Sequence, residues 1–137
     1  MGSEKLTSYL KAQRGRPFKL GEHDCFTFTN EAWRVMHGVG YGDKLIGKYA
    51  DLGQKDFAKL MKKTFGHIGL IDALDHGLTR VTGFPPKGAL VISQSARPYF
   101  TGYALGIAYG VTAVFLNDND IEYIPITEIN GAWVCRK

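Results

Sequence analysis

A thiol set between a helix-capping aspartate and an aromatic run is the strongest chemical signal in this chain: Gly21-Glu22-His23-Asp24-Cys25-Phe26-Thr27-Phe28. Aspartate is a favoured N-cap, so Cys25 falls at the first helical position. There, unpaired backbone N–H groups and the positive end of the helix dipole favour a thiolate. Cys25 is therefore a candidate nucleophile for acyl transfer, with Asp24 as its cap. A cysteine at the start of an amphipathic helix is also an ordinary small buried hydrophobe. The nucleophile reading consequently depends on finding a base.

Cysteine catalysis uses an imidazole within hydrogen-bond reach of the sulfur, oriented by a third group. The chain has four histidines, His23, His37, His67 and His76. His23 lies two residues before Cys25, on the segment entering the helix, and is the alternative base, although its ring approaches from the wrong side for a base supplied across a sheet. Otherwise it reads as a polar loop residue. His37 ends the helix that Cys25 opens, about 18 Å away at 1.5 Å per residue, and suits the helix C-terminus electrostatically. His67 and His76 fall between helices and sheet, with surface or capping roles expected. Tyr103 offers only a phenol, a poor base for a thiol when its pKa is unperturbed.

Helices are expected first. Leu6, Tyr9 and Leu10 mark one apolar face of a helix running from Ser3 or Thr7 to about Arg14, stopped by Gly15-Arg16-Pro17. A second helix, Cys25 to His37, carries Cys25, Phe28, Ala32 and Val35 or Met36 on one stripe, so Cys25 faces inward. The glycines at 38, 40 and 42 end it. A third spans Gln54 to Thr64, with Lys59, Lys62 and Lys63 on a solvated face, and a shorter one covers Ile68 to His76. After Gly83-Phe84-Pro85-Pro86-Lys87-Gly88 the texture changes to short β-type runs at 89–92, 104–109, 112–116 and 121–124. Asn117-Asp118-Asn119-Asp120 joins the last two as a hairpin turn; it lacks the downstream glutamate of a calcium loop. The pattern predicts an α+β fold, N-terminal helices packed on a C-terminal antiparallel β-sheet, in a single domain over residues 1–137.

With 137 residues, 45% of them hydrophobic, the chain is long enough for one core. Its net charge of +4 comes from dispersed lysines and arginines, which favours solubility over nucleic-acid recognition. No run approaches the roughly 18 apolar residues of a membrane helix, and the polar start lacks a signal region. Synthesis in the cytoplasm is expected. Cys25 and Cys135 are far apart, outside metal-ligand spacing, and are expected to be free thiols. No metal and no cofactor are implied.

The order of features resembles the NlpC/P60 superfamily of papain-like cysteine peptidases. In that superfamily an Asp-Cys pair opens the catalytic helix and a strand of the type His-Val-Gly-Ile-Tyr-Val-Gly supplies the base. Asp24-Cys25 matches the first element. Ala104-Leu105-Gly106-Ile107-Ala108-Tyr109-Gly110 matches the second, with Ala104 at the position of the missing family histidine. Lys87-Gly88-Ala89-Leu90-Val91 is similar to the family's Gly-Asp-Leu-Val segment, with Ala89 in place of the aspartate. A closer resemblance is to a small phage and prophage group, through Pro17-Phe18, Gly21, Asp24-Cys25, Gly42-Asp43, Tyr49, the Leu-Gly-Ile strand and Ala132-Trp133.

This resemblance implies a tail-associated virion protein, made in the host cytoplasm, that docks on other phage tail proteins such as tail hub, distal tail or central tail proteins. Tyr9, Phe18, Tyr41, Tyr49, Tyr99, Phe100 and Trp133 are candidate anchors or core residues. The alternative is an active cysteine peptidase or amidase that cuts peptidoglycan peptides as phage DNA crosses the cell wall. A basic nucleic-acid-binding module, marked by steep salt dependence, is the least favoured reading.

Overall fold

The computed structural model describes residues 2–49, 52, 54–66, 70–96 and 103–135. Helix α1 spans Gly2–Ala12, α2 Cys25–His37, α3 Gln54–Phe65 and α4 Leu70–Gly77; strands follow at β1 Thr79–Arg80, β2 Leu90–Ser93, β3 Ala104–Tyr109, β4 Thr112–Leu116, β5 Ile121–Pro125 and β6 Gly131–Val134. The six strands form one sheet in the order β1-β6-β2-β3-β4-β5, antiparallel at every pairing. The fold is thus α+β, as the sequence predicts.

Helix α1 ends at Ala12 instead of Arg14, because Gln13 N–H and Arg14 N–H tighten onto Leu10 O (3.1 Å) and Lys11 O (3.3 Å), three residues back. Its buried Leu6 and Leu10, together with Tyr9 stacked on Phe28 at 5.8 Å, pack it against α2. Helix α2 buries Cys25, Phe28, Ala32 and Trp33 over β3 and β4. Burial of a side chain such as Phe28 contributes about 1.5–3 kcal/mol. Lys59, Lys62 and Lys63 of α3 are exposed, the solvated face expected of them. The expected start of α4 near Ile68, like His67, lies outside the described residues.

The period of two along the strands sorts side chains into two clusters. Leu90, Ile92, Leu105, Ile107, Val114, Leu116 and Trp133 share the helix-covered cluster with Cys25, Phe28 and Trp33. Ala89, Val91, Ala104, Ala108, Ala113, Phe115 and Ala132 form the second cluster on the other face, covered by Val81, Ile126 and Ile129 from connecting segments. Small side chains there let connecting segments, among them the short 3-10 helix Ile126–Glu128, cover the face opposite the α-helices.

Strands β1 and β6 were not expected. The two residues of β1 are both exposed and carry no pattern. Strand β6 lies between β1 and β2, pairing Trp133 with both Leu90 and Arg80. Trp133 is fully buried, its Nε1–H donates to Asp75 Oδ1 at 2.8 Å, and the Arg80 guanidinium lies 5.1 Å from its ring centroid. Tyr49, also considered as an anchor, is likewise core, Tyr9, Phe18 and Tyr41 are half-buried, and Tyr99 and Phe100 lie outside the described residues. The 117–120 segment is the expected turn: Asn117 Oδ1 accepts from Asn119 N–H (2.9 Å) and Asp120 N–H (2.8 Å). Asp120 Oδ1 in turn accepts from Gly15 N–H at 2.8 Å, tying the hairpin to the end of α1.

The glycine of the Leu-Gly-Ile strand answers a packing need. A Cβ on Gly106 would lie 2.6 Å from Phe115 Cε2 and 2.7 Å from the Val114 carbonyl oxygen, and Phe115 is fully buried. Gly106→Ala is expected to destabilise the fold by about 1–3 kcal/mol through overpacking. Urea unfolding measures this, and an unchanged midpoint would disprove the close approach.

Candidate functional site

Asp24 is fully buried and forms a reciprocal capping box with Thr27: Thr27 N–H donates to Asp24 Oδ1 at 2.8 Å, and Asp24 N–H donates to Thr27 Oγ1 at 2.8 Å. Its second oxygen, Oδ2, accepts from Gly21 N–H (2.7 Å) and from the Tyr49 hydroxyl (2.6 Å). Three donors from the entry loop, the helix and a segment 25 residues on therefore meet one carboxylate. The entry loop is itself closed by Lys19 N–H to His23 O (2.9 Å) and His23 N–H to Lys19 O (2.7 Å).

Cys25 begins α2, as expected, with 4% of its surface exposed. Thr29 Oγ1 donates to the Cys25 carbonyl at 2.8 Å and is 2.7 Å from the Tyr41 hydroxyl. Burial pushes the Tyr41 phenol well above its ordinary value; the Thr29 hydrogen bond opposes this, and the Cys25 and Asp24 charges add to it. Tyr41 is thus a neutral phenol within electrostatic reach of the thiol, unsuited to take its proton. Phe26 meets both Tyr41 and Tyr49 edge-on at 5.6 Å. Tyr41 had been read only as a candidate anchor; its glycine-rich surroundings were the available signal that this loop folds back closely.

That loop is fastened by Asp43. Its Oδ1 accepts from Asn30 Nδ2 (2.8 Å) and from Arg34, and its Oδ2 from Gly40 N–H (3.1 Å). The Asn30 hydrogen bond, with the Gly40 and Arg34 contributions, holds the Asp43 carboxyl below its usual range. Gly42 N–H donates to Asn30 Oδ1 at 2.7 Å, and a Cβ at Gly42 would sit 2.5 Å from Phe26 Cζ. The Gly42-Asp43 pair therefore presses the loop onto α2.

The structure does not bring Ala104 to the sulfur. Ala104 belongs to the second cluster, whereas its neighbours Tyr103 and Leu105 pack with the cluster that holds Cys25. His23 corrects the expectation of a polar loop residue: it is 4% exposed, with its ring edge-on to Phe28 at 6.4 Å. Its Nε2 has no hydrogen-bond partner. Burial, helped by the Arg16 charge and opposed by Asp24, lowers its pKa. His37 sits exposed at the last turn of α2, its ring 4.9 Å from that of Trp33, and His76 is exposed in the last turn of α4. Neither cysteine is in a disulfide. Cys135 is exposed and lines a groove with Met36 and His37, at the end of α2 remote from Cys25.

Fold and site together define a class: an α+β domain whose Asp-Cys helix start is sealed into the core by a tyrosine-capped carboxylate. Residues 3–135 match a family described as a domain of unknown function, DUF6950. The chain belongs to that family. No curated protein matches it.

Two measurements test this arrangement. Tyr49→Phe removes one donor from a buried carboxylate and is expected to cost about 1.5–3 kcal/mol of stability, read by chemical denaturation; a cost within error of zero would remove the hydroxyl from the cap. His23 has a folded pKa below its unfolded value of about 6.5. The unfolded chain therefore binds the proton more readily, and the stability that neutral His23 contributes is present above about pH 6.5 and is lost as pH falls toward the folded pKa. His23→Gln is expected to flatten the stability profile below about pH 6.5; a profile as steep as wild type would contradict this.

Proposed function

We propose that the protein is a structural component of a long-tailed phage tail tip, built on a papain-like fold of the NlpC/P60 kind that no longer works as a peptidase. The observation that carries the loss of activity is the burial of Cys25 in the helix-covered core, which withholds the sulfur from a substrate carbonyl. The placement of residue 104 in the opposite cluster supports it, because a side chain there faces away from the thiol. The papain-like reading is supported by an Asp-Cys helix lying over the Leu-Gly-Ile strand of an antiparallel sheet.

The tail setting rests on the resemblance from Pro17 to Val134, and its partners are tail hub, distal tail or central tail proteins. Exposed Phe84, Val111 and Tyr123 are apolar contact points for such neighbours. The competing reading, a peptidoglycan peptidase, is favoured by one feature, the position of Cys25 at a helix N-terminus. It would require the core to open around the sulfur.

Purified peptidoglycan incubated with the protein and with Cys25→Ala, followed by mass spectrometry of soluble fragments, separates the two. The expected result is no Cys25-dependent release, together with co-purification of the tagged chain with tail proteins from phage-producing cells. Fragments that appear with wild type and vanish with Cys25→Ala would overturn the structural reading.

A further inference from the structure

The entry loop carries a titratable ring that the fold accommodates only while it is uncharged. His23 is buried with its ring edge-on to Phe28, and its Nε2 meets no hydrogen-bond partner among the described residues. A neutral imidazole can leave that nitrogen as a bare lone pair by keeping its proton on Nδ1. An imidazolium carries N–H on both nitrogens, so protonation sets a charged donor where no acceptor waits, a costly arrangement in a buried site. The nearby carboxylates are already engaged. Asp24 gives its oxygens to Thr27, Gly21 and Tyr49, Glu22 pairs with Lys19 at 2.8 Å, and Glu31 pairs with Arg34 at 3.2 Å. Asp43 holds Asn30, Gly40 and Arg34. From α1, the Tyr9 hydroxyl donates to the Phe28 carbonyl, and Arg16 beyond its end adds like charge.

Few bonds hold the loop closed. Lys19 and His23 exchange two backbone hydrogen bonds, Glu22 N–H donates to Lys19 O at 3.0 Å, and Gly21 N–H reaches Asp24 Oδ2. The Lys19–Glu22 ion pair lies mostly in water and adds little. We propose that the 19–23 loop is an acid-released latch on the first turn of α2: a proton on His23 turns the ring out to water, opens the loop and brings the Cys25 sulfur into reach of solvent. Phe28 lies three residues past Cys25 on the same face of α2, so a ring that leaves Phe28 uncovers the turn that holds the thiol. Thr27 N–H and the Tyr49 hydroxyl still meet Asp24, so the helix start outlasts the loop. Burial and the Arg16 charge, opposed by Asp24, keep the pKa of the enclosed ring below its ordinary value. The open loop therefore binds the proton more readily, and opening begins below the ordinary imidazole value of about 6.5 and grows as pH falls toward the lowered one. The latch does not depend on the tail-tip reading, and the failure of either leaves the other standing.

The test is a pH series on the Cys135→Ser protein, in which Cys25 is the one remaining thiol, with two readouts. The first is amide-exchange protection, corrected for the intrinsic dependence of exchange on pH. The second is the rate of Cys25 modification by a pyridyl disulfide, which reacts with thiols in acid as well as at neutral pH. As pH is lowered from about 7.5 past the ordinary imidazole value of about 6.5, protection at residues 19–25 is expected to fall severalfold and Cys25 modification to rise severalfold, with protection in β3 and β4 unchanged. His23→Gln and His23→Leu on the same background are uncharged at every pH and are each expected to give flat profiles; either one that folds carries the comparison. Flat profiles with His23 in place, profiles as steep in the neutral variants, or loop protection lost while Cys25 stays unreactive would each overturn the proposal. A loss of protection shared by β3 and β4 would overturn it as well, because it reports global unfolding.

Discussion

A carboxylate taken wholly out of water is tolerable only when its oxygens are met by donors, and the Asp24 side chain meets that condition with three of them: Thr27 N–H, Gly21 N–H and the Tyr49 hydroxyl. Each donor comes from a different piece of chain, so one side chain sets the start of α2, the path of the entry loop and the return of the 40–49 segment. Removing any of the three would leave part of a charge buried without a partner. The cost of that vacancy makes the junction cooperative, and Cys25 follows wherever Asp24 is fixed.

The sheet supports this junction through an asymmetry of size. Large side chains, Leu105, Ile107, Val114 and Trp133, face the helices. Alanines at 89, 104, 108, 113 and 132 face the other way. Room on that side is taken by the Phe115 ring, which presses against Gly106, and by loop residues that complete the cover. A compact side chain at 104 is therefore a packing requirement. An imidazole there would displace a cluster in which Ala104 is 1% exposed, and it would do so on the face away from the thiol.

The helices and the inner strands were legible because they are local. The period of α2, the cap at Asp24 and the 117–120 turn are all decided within a few residues. Strand β6 was hidden because its four residues pair with β2, about 40 positions upstream, and no local signal announces a strand inserted between two others. At the site, Asp24 and Cys25 were placed correctly as cap and first helical residue. The burial of His23 was missed because it depends on Phe28 and on the closure of the 19–23 loop. The convergence of Tyr41 and Tyr49 was missed because a side chain's reach across a loop is a tertiary property.

The same features that would ready a thiol here serve structural ends. A capping aspartate, a helix N-terminus and an adjacent aromatic run are compatible with a nucleophile, yet each has a complete structural use in this fold. Asp24 is saturated by donors, Thr29 binds the Cys25 carbonyl and Tyr41, and Phe26 packs on two tyrosines. Among the described residues the buried ring nitrogens without a partner are His23 Nε2, in the entry loop, and Trp33 Nε1, which shares the core cluster of Cys25. The polar groups around the Asp-Cys pair are therefore spent on holding α2, the entry loop and the 40–49 segment together.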